Sequence, residues 1–331
     1  MIIQTHAYPR AALIGNPSDG YFGKTIAFTF ANFRAEAVLF ESPELTIAPG
    51  PRDGLSYAGV RSLYEDVQLH GYYGGIRLLK ATIKSFYAHC LEHGLPLHGR
   101  NFTIRYTSSI PHLVGLGGSS AIITAAMRAL LQFYGVEIPK PQLANLIRAV
   151  ENRELGITAG LQDRVAQVYQ GVVYMDFAKE LFDKHGHGRY EPISPTLLPP
   201  LYLAFRTDLS EGSEVFHNNI RDRFERGEPE VLDAMRYWAE LTDQARDAIL
   251  RRDVRRLGEL QNAGFDRRTK LYQLSEGNLR LIGAARAAGA SAAFTGSGGA
   301  ICGICLDDAV FQRLQEKLAL QKVVVLRPQI V

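Results

Sequence analysis

The 331-residue sequence has little cysteine, little excess of either charge and no long apolar run without glycine. Its three cysteines, Cys90, Cys302 and Cys305, are too few for a disulfide framework, which favours a reducing cytoplasm. Lys and Arg number 37 against 34 Asp and Glu, so the net charge of +3 gives no argument for binding nucleic acid or an anionic membrane. Asp253 interrupts the basic run Arg251–Arg256, which we interpret as the solvated face of a helix.

The sequence does not support a secretory signal, a zinc site or a membrane-spanning helix. Met1–Ala7 lacks both the basic start and the apolar run of a secretory signal. The spacing Cys302–Cys305 could suggest zinc, but zinc needs two more ligands, and the segment is predicted to be a buried strand. The two longest uncharged stretches, Tyr106–Met127 and Ala287–Leu306, are too rich in glycine and small residues for a membrane helix. They are better suited to wrapping a backbone around an anion.

The order of predicted elements indicates a two-part α+β protein. A length of 331 residues favours two domains, and strands and helices mix without the regular alternation of a doubly wound sheet. Four prolines crowd into His185–Pro200, which we interpret as a linker between domains at 1–190 and 200–331. Helices are predicted at Gly71–Glu92, Ala121–Tyr134, Pro141–Val150, Glu230–Ala263 and Asn278–Ala288, and strands at Ala11–Gly15, in Thr25–Phe40, and at Phe102–Tyr106, Val172–Phe177, Leu201–Phe205 and Ile301–Leu306.

Three segments compete as a nucleotide-binding loop. Ser18–Thr25 ends like a P-loop in Gly-Lys-Thr, but it lacks the first glycine, and strand periodicity follows it where a P-loop must open a helix. Gly115–Ser120 lacks the third glycine of a dinucleotide fingerprint. The whole segment Ile110–Ile122 fits better as a glycine loop that opens a helix, where backbone N–H groups and the helix dipole face an anion. An ordinary serine-capped helix is the alternative.

Three motifs in this order resemble those of the GHMP kinases, the family of galactokinase, mevalonate kinase and homoserine kinase. The first motif is Arg10–Asp19, the second lies in Ile110–Ile122, and the third is Thr295–Ala300. The resemblance implies an N-terminal ribosomal-protein-like domain and a C-terminal ferredoxin-like domain with the active site between them. It also implies ATP as co-substrate and the following phosphate-binding residues: Gly115, Gly117, Gly118, Ser119, Ser120, Gly296, Ser297, Gly298 and Gly299.

Within this family, three longer segments are similar to the glucuronokinases. These segments are Leu13–Thr25, Gly71–Leu79 and Glu154–Tyr169. The similarity implies phosphorylation of the anomeric hydroxyl of D-glucuronate, giving D-glucuronate 1-phosphate and ADP. The Glu-His pair in the first motif of galactokinase is Asn16-Pro17 here, so contacts with neutral sugars do not carry over. A kinase for galacturonate, arabinose or a heptose, and a non-catalytic sensor that binds ATP and a sugar, remain alternatives.

A magnesium site is predicted from hard oxygen ligands near the second motif. Magnesium in such enzymes takes one or two protein ligands and completes its shell with phosphates and water. Ser120 supplies a hydroxyl, and Glu151 continues the apolar ridge of Ile147 rather than facing water. The family resemblance also favours Glu151 as the second ligand. Glu154 is the alternative ligand, and a structural salt bridge is the alternative role.

Asp163 is the predicted catalytic base, since phosphoryl transfer needs an acceptor for the proton of the attacking hydroxyl. It follows the loop at Gly160 and begins a predicted helix, a position where an aspartate often only complements the helix dipole. The match to the family segment favours the catalytic role. The resemblance also places Arg10 beside the base, where its charge would keep Asp163 ionised and stabilise the transferred group.

The sugar acid needs a cation at the end opposite the base. Lys24 follows the turn of the first motif, and Arg164 neighbours the base, so both are candidates for the sugar carboxylate. Asp19, at the end of the first motif, is a third predicted substrate ligand by resemblance. Arg206 and Arg268 in the second domain are further candidates for the carboxylate.

Overall fold

The computed structural model describes residues 1–50, 53, 57–70, 74–206, 220–319, 321 and 323–331. Its strands are β1 Ile2–Ala7, β2 Arg10–Ile14, β3 Lys24–Thr29, β4 Ala35–Glu41, β5 Thr46–Ile47, β6 Phe102–Ser108, β7 Val172–Asp176, β8 Arg189–Ile193, β9 Leu201–Phe205, β10 Ala293–Phe294, β11 Ala300–Ile304 and β12 Val324–Leu326. Its helices are α1 Val60–His70, α2 Gly75–Glu92, α3 Gly118–Tyr134, α4 Lys140–Ala149, α5 Gln162–Tyr169, α6 Lys179–His185, α7 Pro229–Leu250, α8 Val254–Leu271, α9 Glu276–Ala287 and α10 Asp308–Ala319.

These strands form three four-stranded sheets. Their orders are β1-β4-β6-β5, β2-β3-β7-β8 and β10-β11-β9-β12. Neighbouring strands pair antiparallel throughout, apart from the short parallel pair of β5 with β6. Helices cluster on the sheets instead of alternating with parallel strands, so the expected α+β fold is confirmed.

The second and third sheets meet along β2, the strand that carries the first motif. The N–H of Ala12 donates to the carbonyl of Thr295 at 2.9 Å, and the thiol of Cys302 donates to the carbonyl of Ala12 at 3.0 Å. The amide of Gln261 on α8 donates to the carbonyl of Leu13 at 3.0 Å. This contact places Arg10, at the start of β2, beside the third motif.

The predicted linker is wrong in part, since Arg189–Ile193 forms β8 and pairs with β7. Pro192 concealed this strand. A proline is tolerated here because β8 lies at the edge of its sheet, the position to which prolines within sheets are largely confined. The sheet therefore extends to Ile193, beyond the predicted boundary at residue 190. The domain boundaries themselves stay a prediction.

The predicted helix Glu230–Ala263 is divided into two helices in the structure. Helix α7 ends at Leu250 and α8 begins at Val254, with Arg252 in a left-handed conformation at φ 57° between them. The four arginines of Arg251–Arg256 are exposed as predicted, but Arg251 and Arg252 form a turn rather than a helix face. Helix α2 begins at Gly75, and the start of the predicted helix at 71–73 lies outside the described residues.

Two expectations about the strands are confirmed. Lys24–Thr29 is strand β3, which removes the P-loop interpretation of the residues before it. Cys302 lies inside strand β11, and all three cysteines are free and buried. Among the helices described, none combines the length and apolar character needed to span a bilayer.

Candidate active site

The second motif forms a tight loop that opens α3. Gly115 and Gly117 adopt left-handed conformations with φ near 71° and 70°, which glycine permits without strain. A Cβ atom on Gly117 would lie 3.3 Å from Oδ2 of Asp163 and 3.3 Å from the hydroxyl oxygen of Ser120. The loop therefore passes directly beside Asp163. The first N–H groups of α3 have no acceptor within the helix, so this end of α3 suits a phosphate.

The carbonyl groups of this loop are held by donors from the protein. The side-chain amide of Gln167 donates to the carbonyl of Gly117 at 2.8 Å, and Arg10 donates to the carbonyl of Gly115 at 2.7 Å. Gln167 lies four residues after Asp163 on α5, so both side chains face the loop from one side of that helix. With these carbonyls turned towards the protein, the loop can present its N–H groups to an anion.

The third motif packs against the second. A Cβ atom on Gly115 would lie 2.9 Å from the carbonyl oxygen of Gly298. The loop is fixed from its other side, because Asn278 accepts from the N–H of Gly299 at 3.1 Å and Arg268 donates to the carbonyl of Gly296 at 3.1 Å. The two glycine loops thus form adjoining walls of one site.

Arg10 links all three motifs. Its side chain is 6% exposed, and its Nε donates to Oδ1 of Asp163 at 2.6 Å. One terminal nitrogen donates at 2.7 Å to the carbonyl of Gly115 and at 2.7 Å to that of Thr295. The structure therefore places Arg10 against Asp163, as the sequence suggested.

Glu151 is buried, but its principal partner is Arg164. Both Nε of Arg164, at 2.8 Å, and a terminal nitrogen of the same side chain donate to Oε2 of Glu151. The hydroxyl of Ser119 donates to the other carboxylate oxygen at 2.8 Å. Burial alone would lower the pKa of Arg164, but the charges of Glu151 and Asp163 outweigh it and raise the pKa.

The local backbone explains how Glu151 reaches this position. A π-helical turn, Val150–Glu154, continues α4 and changes the direction of the side chains after Val150. Glu154 points to Lys84, with which it forms an exposed ion pair. Ser120, predicted as a metal ligand, donates its hydroxyl to the carbonyl of Gly117 at 3.0 Å. Ser119, rather than Ser120, is thus the serine in contact with Glu151.

These oxygen atoms are the kind of donor that magnesium prefers. At the start of α3 the hydroxyl of Ser119 contacts the carboxylate of Glu151, and the hydroxyl of the neighbouring Ser120 contacts the carbonyl of Gly117. Magnesium in kinases needs few protein ligands beyond groups of this kind. Within the described part of the chain, no group of three or more His, Cys, Asp or Glu side chains is arranged to hold a metal ion. The donor set therefore fits an ion shared with phosphates rather than a site made of protein alone.

Asp19 faces the same site from the short 3-10 turn Ser18–Tyr21. Its Oδ2 accepts from the N–H of Gln162 at 3.2 Å, and a Cβ atom on Gly160 would lie 2.0 Å from it. Burial, followed by the charge of Asp163, raises the pKa of Asp19 to about 6, although the Gln162 N–H and the nearby Arg10 and Arg164 oppose the shift. Two carboxylates thus share one site, and the pKa of Asp19 is raised there.

This shift makes the stability of the fold depend on pH through Asp19. A raised pKa in the folded state contributes stability that is fully present below the usual pKa of 3.8 and is lost as pH rises through about 6. Asp19→Asn removes the ionised form, so we expect the variant to be more stable than wild type by about 1–3 kcal/mol at pH 8.

Urea unfolding at pH 8, 6 and 4.5 measures this effect. The advantage of Asp19→Asn should shrink steadily as the pH falls, while Asp183→Asn, an exposed change on α6, should show no such trend. An advantage of the same size at every pH would show that the ionised carboxylate of Asp19 carries no cost in the fold.

The predicted cations have different surroundings. Arg164 is committed to Glu151, and one of its terminal nitrogens also lies 3.5 Å from Asp163. The ammonium of Lys24 lies 2.6 Å from Asp243 and 3.8 Å from Asp176, in an ion-pair group between β3, β7 and α7. The substrate roles of Lys24, Arg164 and Asp19 stay predictions.

Several side chains of the site have no clear signal in the sequence. Arg148 on α4 donates to the carbonyl of Ala159 at 2.9 Å, and its pKa is lowered by burial and by Arg164. Asn278 holds the third motif from α9, and Arg268, which the sequence offered only as a candidate for the sugar carboxylate, holds it from α8. Gln167 could have been found from its four-residue spacing to Asp163. The others depend on tertiary contacts.

Comparison with known proteins agrees with this geometry. Residues 77–171 match the family model of the GHMP kinases N terminal domain, and residues 245–323 match that of the GHMP kinases C terminal domain. The fold matches a crystal structure of Streptococcus pneumoniae phosphomevalonate kinase with a TM-score of 0.75 at 14% identity, covering 100% of both chains. That likeness supports the fold alone.

Two curated relatives are much closer in sequence. The chain is 42% identical over 308 residues to Glucuronokinase 1 of Arabidopsis thaliana, covering 92% of this chain and 85% of that protein. It is 43% identical over 311 residues to Probable glucuronokinase 2 of the same plant, covering 92% of this chain and 84% of the relative. The chain therefore belongs to the GHMP kinases and is a sugar kinase, a phosphotransferase with an alcohol group as acceptor.

Proposed function

We propose that the protein transfers the γ-phosphoryl group of ATP to the anomeric hydroxyl of D-glucuronate, giving D-glucuronate 1-phosphate and ADP. One observation carries the proposal: Asp163 is held by Arg10 at 2.6 Å directly beside the glycine loop that opens α3. A base next to a phosphate loop is the arrangement that phosphoryl transfer to an alcohol requires. Similarity to the two Arabidopsis proteins supports glucuronate as the alcohol.

Asp163 acts as the base in this proposal. The anomeric hydroxyl is a relatively acidic alcohol, so a carboxylate suffices to accept its proton as the oxygen attacks phosphorus. Arg10 fixes one carboxylate oxygen of Asp163 beside the glycine loop and holds a positive charge next to this base. Arg10 also contributes positive charge next to the transferred group.

The two glycine loops bind the ATP phosphates. The second motif supplies Gly115, Gly117, Gly118, Ser119 and Ser120, and the third supplies Gly296, Ser297, Gly298 and Gly299. Their contact at Gly115 and Gly298 supports an ATP site between the proposed domains, 1–190 and 200–331. Backbone N–H groups at the start of α3 provide the donors.

Ser120, with Ser119 and Glu151, would hold Mg²⁺ together with these phosphates. When bound, the ion neutralises phosphate charge and orients the γ-phosphoryl group. Because Arg164 already neutralises part of the charge on Glu151, the chain itself contributes a weakly charged ligand set. Most of the ion's affinity would then come from ATP.

The charge around Asp19 suits an acidic sugar. Four arginines, Arg10, Arg148, Arg164 and Arg268, act on the electrostatics of this region. Three carboxylates, those of Asp19, Asp163 and Glu151, oppose them. A site lined by several arginines favours a substrate that carries its own negative charge.

We further propose a reducing cytoplasm as the compartment, because the three cysteines are free and buried rather than paired. ATP and a sugar acid are the partners that this function needs. Neither nucleic acid nor a membrane has a role in the reaction.

A coupled assay of ADP release over a panel of acceptors tests the proposed function. The panel contains D-glucuronate, D-galacturonate, D-glucose, L-arabinose, a heptose and mevalonate. We expect the highest kcat/KM with D-glucuronate, and a product whose ³¹P signal couples to the anomeric proton and whose reducing end is lost. A higher kcat/KM with another acceptor would reassign the substrate. Sugar binding without ADP release would favour a sensor.

A further inference from the structure

Arg268 is a buried cation that lacks a carboxylate partner within the described part of the chain. It is 3% exposed and lies near the end of α8. Its terminal nitrogens donate to the carbonyls of Gly296, at 3.1 Å, and Ser297, at 3.4 Å. Its guanidinium carbon lies 5.2 Å from the ring centre of Tyr272 and 5.0 Å from that of Phe294. Aromatic faces and carbonyls stabilise the charge but do not neutralise it.

A buried charge without a counter-ion is costly, and native proteins usually pair such groups. Two donors of this cluster are unused. Nε of Arg268 and the hydroxyl of Tyr272 are both buried, with no hydrogen-bond partner among the described residues. Burial lowers the pKa of Arg268, opposed by the nearby Tyr272, Asp19 and Tyr21. The cluster has the donors that a carboxylate accepts, and no carboxylate among the described residues pairs with them.

The position of Arg268 relative to the base also suits the far end of a sugar. Gly296 lies between the two arginines: a Cβ atom on it would lie 3.1 Å from a terminal nitrogen of Arg10, and its carbonyl accepts from Arg268. Arg10 in turn contacts Asp163. Arg268 also lines a cavity of about 20 Å³ with Gly15 and Asn16 of the first motif, so it lies next to the turn that carries Asp19.

We propose that Arg268, with the hydroxyl of Tyr272 as a second donor, binds the carboxylate of the sugar acid. This assignment rests on the proposed function, since it presumes an acidic sugar. Lys24 and Arg164 are weaker choices because each already neutralises a carboxylate of the chain. Arg148 is only partly buried, so water can solvate its charge without a substrate.

Comparing D-glucuronate with D-glucuronamide isolates the carboxylate, because the amide has the same shape and no charge. We expect Arg268→Met to lower kcat/KM for D-glucuronate by about 10–100-fold and that for the amide by less than about 3-fold. Arg267→Met is the matched control: Arg267 precedes Arg268 on α8 and forms its ion pair with Asp233. It should leave the ratio of the two kcat/KM values unchanged.

Two milder variants test the proposal even if Arg268→Met does not fold. Arg268→Lys keeps the charge but loses the paired donors, and Tyr272→Phe removes only a hydroxyl that has no partner among the described residues. Tyr272→Phe should therefore keep the wild-type melting temperature while lowering the glucuronate-to-glucuronamide ratio by about 3–10-fold. Damage to the third motif would raise the KM for ATP, whereas loss of a contact with the sugar carboxylate would not. The KM for ATP should therefore change little in Tyr272→Phe.

The outcomes distinguish this inference from the function on which it rests. If wild type turns over D-glucuronate and neither Arg268→Lys nor Tyr272→Phe changes its ratio to the amide, the carboxylate binds elsewhere and the inference alone fails. Equal losses on both acceptors would also overturn it and show that Arg268 only holds the third motif. If wild type uses neutral sugars in preference to D-glucuronate, the proposed function fails first.

Discussion

Replacing Asp163 with Asn is expected to lower kcat by roughly 10²–10⁴-fold while ATP still binds. The amide keeps the shape of the carboxylate but cannot accept the proton of the attacking hydroxyl. The structure strengthens this expectation, because Oδ1 is taken by Arg10 at 2.6 Å and a terminal nitrogen of Arg164 lies 3.5 Å from Oδ2. Both cations place positive charge beside the carboxylate that is proposed to accept the proton.

Asp266 provides a matched control for this substitution. It pairs with Arg286 at 2.6 Å, the same length as the Asp163–Arg10 pair, but its side chain is 57% exposed. Asp266→Asn should therefore keep kcat near the wild-type value. Steady-state kinetics with ADP release gives kcat for both variants, and calorimetric titration gives the Kd for ATP. An Asp163→Asn enzyme with near-full kcat would remove Asp163 from the mechanism.

The melting temperature separates catalysis from folding in this pair. Asp163→Asn leaves Arg10 buried without its charged partner, and some loss of stability follows. A loss of kcat at 25 °C in a protein that is still fully folded reports on chemistry. If kcat is reduced only at temperatures where Asp163→Asn is partly unfolded, and is normal at lower temperatures, Asp163 has a structural role instead.

The local structure around the candidate site could be predicted wherever the sequence carries a local signal. The glycine loop was predictable because Gly115 and Gly117 need left-handed conformations and an apolar helix follows them. The position of Asp163 in the first turn of α5 follows from its place directly after a glycine-containing loop. The strand nature of Lys24–Thr29 follows from alternation of apolar residues.

The parts that sequence did not predict depend on contacts between distant segments. Lys24 and Asp243 are separated by 219 residues, and no local sequence pattern predicts that they form an ion pair. The π-helical turn Val150–Glu154 has no sequence signature that we used, yet it determines where Glu151 points. Pro192 made strand β8 look like a loop in the sequence. A proline fits an edge strand, but only the assembled sheet shows that β8 lies at an edge.

Glu151 is where the structure changes an expectation most, because its carboxylate pairs with Arg164 as well as with Ser119. Glu151 is 1% exposed and the side chain of Arg164 is 5% exposed. Glu151→Gln leaves this guanidinium buried with a neutral partner. We expect the free energy of unfolding to fall by about 3–5 kcal/mol, in addition to any effect on magnesium.

The double variant Glu151→Gln/Arg164→Met separates the two roles. It removes both charges, so it should recover much of the stability that Glu151→Gln loses. If Glu151 is also a magnesium ligand, the Mg²⁺ concentration for half-maximal activity should rise in the single and the double variant alike. Excess Mg²⁺ should then partly restore activity in both.

Urea unfolding and magnesium titration of kcat, carried out on the same preparations, provide both measurements. Glu154→Gln is the control, because Glu154 belongs to the same π-helical turn but pairs with the exposed Lys84, so it should cost less than about 1 kcal/mol. A double variant that regains stability and shows wild-type magnesium dependence would make Glu151 a purely structural partner of Arg164. The protein ligands of magnesium would then be reduced to the serines at the start of α3.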